Sequence, residues 1–152
     1  MEWFNVNDVL SYFFGEIATH LSAGSPTADV YTSEKQRVET TYTATHGAVT
    51  LFNPFGSPVA GDFCGPGMWA GGKVLLMTGI VLAESRFTAH EILARLENLV
   101  DNGKFQDTSL PSPAGPSPLM YTGNLGYRRY QVDSELYGLQ IDFDITFWRV
   151  MR

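Results

Sequence analysis

Few residues in this chain have both the type and the spacing that chemistry needs. Its three histidines are His20, His46 and His90, and none has another His or Cys at the i+4 spacing that sets two ligands on one helix face. Cys64 is the only cysteine, so no intrachain disulfide can form. As a nucleophile it would need a nearby histidine, which the sequence does not place, and a passive, semi-buried thiol is expected. Residues 65–70 fit a loose G-x-G-x-x-A pattern. A dinucleotide turn, however, needs a strand before it and a helix after it, whereas here a strand follows and Pro66 removes an N–H. No P-loop and no G-x-S-x-G elbow occurs. Carboxylates are available at Asp133, Glu135, Asp142 and Asp144. Asp142 and Asp144 lie two apart on an expected strand, so they share a face and have the arrangement of an acid/base pair. A solvated strand face is the preferred account of them, since no pocket is implied. No catalytic residue, metal ligand or cofactor is assigned.

The elements that would position these groups begin with a helix. Asn7 or Asp8 can cap it, and Val6, Val9, Leu10, Phe13, Phe14, Ile17 and Leu21 form one apolar stripe. Ala23-Gly24 followed by Ser25-Pro26 ends it. Residues 38–45 alternate, His46-Gly47 reads as a turn, and 48–52 as the returning strand of a hairpin. Residues 53–72 are rich in Gly and Pro and predict a long loop, with Phe55, Phe63 and Trp69 packed on the domain or on a partner. Residues 73–83 (KVLLMTGIVLA) are apolar on both faces and predict a central strand.

A second helix is expected from Thr88, with Thr88 and Glu91 as a capping box and Ile92, Leu93, Leu96, Leu99 and Val100 buried. Asn102-Gly103 closes it. A proline-rich loop covers about 106–120, and a strand follows over 126–134. Residues 139–150 carry the clearest pattern: Leu139, Ile141, Phe143, Ile145 and Phe147 alternate with Gln140, Asp142, Asp144, Thr146 and Trp148. The order is helix, three strands, helix, two strands. The expected fold is α+β, with two helices packed on one face of a mostly antiparallel sheet, in one domain spanning 1–152.

Composition narrows the partners. Of the 152 residues, 44% are hydrophobic and only 17% charged, so polar surface to keep copies apart is scarce. A net charge of −6 lacks the Lys/Arg excess that grips phosphates, so tight nucleic-acid binding is not expected. Neither a basic leader with an apolar run nor an eighteen-residue apolar stretch occurs, and the plain expectation is a cytoplasmic protein without membrane contact.

The stretch 126–133 (GYRRYQVD), a short turn, then 139–147 (LQIDFDITF) resembles the closing hairpin of tail terminator proteins from long-tailed bacteriophages. In that family a strand bearing tyrosine and arginine precedes an alternating strand that ends the chain. The element order and length are also similar, while the two loops at 53–72 and about 106–120 depart from the pattern. The resemblance implies a homo-hexameric ring that caps the tail tube protein, stops its polymerisation and meets a head-tail connector or stopper protein. DNA would pass through the centre without specific binding. Assembly in the host cytoplasm and residence in the virion neck follow from it. Arg128, Arg129, Asp142, Asp144, Phe55, Phe63 and Trp69 are then the candidate interface or lumen residues. Three other readings compete: a different neck or tail-completion connector, a small carboxylate-dependent enzyme, and a monomeric binding module using the loop aromatics.

Overall fold

The computed structural model describes residues 6–32, 40–65, 68–101, 119–132 and 135–151; for 6–9, 53–65, 68–73, 119–121 and 146–151 it describes the backbone alone. The chain runs α1 (Val6–Ser22), β1 (Thr27–Tyr31), β2 (His46–Gly65), β3 (Met68–Ala83), α2 (Arg86–Asp101), β4 (Leu119–Tyr130) and β5 (Tyr137–Met151). The strands form one sheet in the order β1-β2-β3-β5-β4. The β1–β2 pair is parallel and the other three pairs are antiparallel. This is an α+β fold with both helices on one face of a mostly antiparallel sheet.

The helix face is built by period-2 alternation. Val49, Leu51, Leu75, Met77, Val81, Leu139, Ile141, Phe143 and Ile145 all point into the core and are almost fully buried. Phe13, Ile17 and Leu21 of α1 and Ile92, Leu93, Leu96, Leu99 and Val100 of α2 cover them. The Phe13 and Phe143 rings meet at 5.5 Å, within the range of favourable aromatic pairs.

One end of each helix shows its chemical cause. Gly24 takes φ +81° just beyond α1, a conformation glycine reaches without steric cost. Arg95 of α2 donates to His20 O at 2.6 Å and also to Ala23 O and Pro26 O, capping the last carbonyls of α1 with a cation. His20 Nε2 returns a bond to Arg95 O at 3.1 Å, so the two helices are tied in both directions. At the start of α2, Ser85 Oγ accepts Thr88 N–H at 3.3 Å. The expected Thr88/Glu91 box is therefore displaced three residues: Ser85 is the cap, and the Thr88 hydroxyl donates to Ala44 O instead.

Three expectations about strands need correction. Residues 40–42 are not in a strand, and Thr43 makes only an isolated bridge to His46, so no strand runs through 40–45. The strand beside β2 is β1, which the sequence pattern did not reveal. Gly47 is no turn residue either. It lies inside β2, where an added Cβ would stand 2.4 Å from Leu82 O and 2.8 Å from Ile92 Cδ1. The largest change is at 53–72. Residues 53–65 and 68–72 belong to β2 and β3, which pair from Ala48↔Leu82 to Gly65↔Met68 with register shifts between Phe52/Phe55, Val59/Asp62 and Phe63/Gly65. Irregularities of this kind let Gly- and Pro-rich sequence continue a strand. The proline-rich stretch expected at 106–120 falls outside the described residues except for its end, where Leu119 and Met120 begin β4. Asp133 also lies outside them.

Candidate functional site

On the sheet face opposite the helices, successive rows read Asp29, Ala48, Leu82, Gly138, Tyr130, then Tyr31, Thr50, Ile80, Gln140, Arg128, then Phe52, Thr78, Asp142. This second face is graded. Ala48, Thr50, Ile80 and Leu82 are buried in its middle, whereas Gln140, Asp142 and Asp144 toward β4 are half-exposed. Asp142 is held in place: its Oδ1 accepts Thr78 Oγ1 at 3.0 Å and Gln140 Nε2 at 3.2 Å, and Arg128 stands 3.9 Å from its Oδ2. Arg128 is 68% exposed, so the ion pair is a solvent-screened one of small energy. Asp144 is aligned with Gly123 on β4, where a Cβ would approach its Oδ1 to 2.6 Å.

The expected site residues therefore separate. Asp142, Asp144 and Arg128 share the second face. Arg129 is on the helix face, its guanidinium 3.3 Å above the Tyr137 ring. His90 of α2 lies edge-on to Tyr127 at 5.8 Å and beside Tyr137 at 6.1 Å, so these aromatics and Arg129 form one group at the β4 side of α2. Phe55, Phe63 and Trp69 are not in a loop. Phe55 is opposite Leu76, and Phe63 is opposite Trp69, in the β2–β3 ladder; their side chains fall outside the described part.

One cluster was invisible to sequence reasoning. Thr27 Oγ1 lies 2.7 Å from His46 Nδ1, and His46 Nε2 lies 3.1 Å from Asp29 Oδ2. Asp29 Oδ2 also accepts Thr40 Oγ1 at 3.0 Å and Tyr31 OH at 3.3 Å. Burial pushes the Asp29 carboxyl up, but the bonds from His46, Thr40 and Tyr31 outweigh it and hold the group below its ordinary 3.8. The hydroxyl–imidazole–carboxylate chain has the connectivity of an acyl-transfer triad. Catalysis of that kind also needs N–H donors aimed at the developing oxyanion. The Thr27 N–H is bonded to Thr45 O and the His46 N–H to Thr43 O, so the nearest donors are already engaged. The cluster locks β1 and the 40–45 segment onto the start of β2. No periodicity could have found it, because it depends on the parallel register Thr27↔His46.

Among the described residues no group of three or more His, Cys, Asp or Glu could hold a metal ion. No helix there is long and apolar enough to cross a membrane. A cavity of about 220 Å³ is lined by Ser25, Pro26, Ala44, Thr45, Phe87, Thr88 and Glu91 where the α1–β1 turn meets the start of α2. Comparison with protein-family models gives no match, and none is found among curated proteins.

Proposed function

We propose that this chain is a structural subunit, not an enzyme: a tail terminator that assembles as a six-membered ring, caps the tail tube of a long-tailed bacteriophage and offers the head connector a docking surface. One observation carries the reading toward assembly. The sheet is much longer than the helices that cover it. β3 has 16 residues and α2 also has 16. At about 3.3 Å per strand residue and about 1.5 Å per helix residue, β3 runs roughly 50 Å and α2 roughly 24 Å. α2 cannot cover the full length of β3. Pairing of β3 with β5 nevertheless continues along the full strand, from Ala83↔Tyr137 to Trp69↔Met151. Strands that outrun α2 while staying paired suit a surface completed by neighbouring subunits. The similarity of the closing hairpin to tail terminators supplies the specific role, and the net charge of −6 suits a channel through which DNA slides.

Sedimentation over a wide concentration range tests the assembly, and capping of purified tail tubes tests the role. A second variant isolates the extension: residues 59–72 replaced by an Asn-Gly turn, which joins Pro58 and Lys73 where they already pair. Hexamers that arrest tube growth, lost in the trimmed variant, are the expected result. A chain that stays monomeric at high concentration and leaves tubes growing sinks the proposal. Duplex DNA should bind weakly at moderate salt; micromolar binding with a steep salt slope would remove the channel argument.

A further inference from the structure

We draw no further inference here: the strongest candidate, the cavity where the α1–β1 turn meets the start of α2 beside exposed Phe87, carries nothing, because nothing among the described residues shows what would cover it.

Discussion

The two faces of this sheet carry the same backbone and opposite chemistry. On β5, Phe143 points to the helices and is fully buried, while its neighbours Asp142 and Asp144 stand half-exposed on the other side. The helix face is apolar through the described parts of β2, β3 and β5 and turns polar at β4, where Thr122 donates to Val100 O and Asn124 to Glu97 of α2. The second face changes from buried Ala48 and Leu82 to a hydrogen-bonded acid at Asp142. A face filled by its own helices fixes register and stability. A graded, half-polar face contributes less to either and keeps surface for other contacts. Substitutions ordered by expected effect can sharpen or break that contrast.

Phe143→Ala comes first. It deletes a side chain with no solvent exposure that packs on Phe13, and should cost about 3–5 kcal/mol through lost burial and a residual cavity. That is a large share of a domain's stability. Phe143→Asp should be worse, since it buries an unpaired charge. Denaturant melts measure both, and a wild-type midpoint for Phe143→Ala would refute the assignment of this face.

Gly47→Ala acts on the same face through the backbone. The new methyl would meet Leu82 O at 2.4 Å, and a carbonyl inside a paired strand cannot swing aside. Overpacking of this kind costs about 1–3 kcal/mol. Thermal melts should show a clear loss; an unchanged melt would mean that α2 and β3 can separate at this point without penalty.

How far the sequence disclosed this contrast depends on the residue. The period-2 run through Leu139–Ile145 revealed β5 and both its faces, because a slip of one residue would drive Asp142 into the core. Stripe residues such as Phe13, Ile17, Ile92 and Leu96 revealed both helices for the same reason. β1 was hidden because TADVY is short and its partner His46–Thr50 is parallel and distant in sequence. Residues 38–45 alternate as a strand would, yet Thr40 spends its hydroxyl on Asp29 and Tyr31, and Thr43 turns the chain into β2. The 53–72 stretch looked like a loop because Gly and Pro ordinarily end strands, and the three register shifts that accommodate them leave no mark in composition. The Thr27–His46–Asp29 cluster joins residues far apart in the chain, which only the fold brings together.

Thr50 lies on the second face, and its Oγ1 is buried with no hydrogen-bond partner among the described residues. Thr50→Val keeps the shape and removes the unsatisfied hydroxyl, so it should be neutral or stabilise by up to about 1 kcal/mol. A marked loss in the melt would mean that the hydroxyl has a partner after all.

The effect of Asp29 is read from pH. Its folded pKa lies below its ordinary 3.8, so its contribution is fully present above that value. The contribution is lost as pH falls from about that value through the depressed folded pKa. Asp29→Asn should therefore lower stability at neutral pH by a small amount and flatten the acid limb of the stability profile below pH ~4. Parallel acid limbs in the two proteins would show that the bonds from His46, Thr40 and Tyr31 do not hold the carboxylate.

The smallest effect is expected where the sequence first suggested catalysis. In the Asp142→Asn, Asp144→Asn double variant, the amide at position 142 keeps a carbonyl oxygen that can accept from the Thr78 hydroxyl, so the bond that orients this position survives. What is lost is the attraction to Arg128, which spans 3.9 Å and is open to solvent. Pairs of this kind are worth about 0–1 kcal/mol, and part of that loss is offset because two like charges on one strand face no longer repel. The double variant should melt within about 0.5 kcal/mol of the parent. Its assembly is the sharper readout. If the second face lines a channel, removing the acids should leave ring formation intact and raise the affinity of the ring for duplex DNA at low salt, because two repelling charges per subunit are gone. Unchanged DNA affinity would place Asp142 and Asp144 away from the channel, and loss of a measurable hydrolytic activity in the double variant would favour the enzyme over the ring.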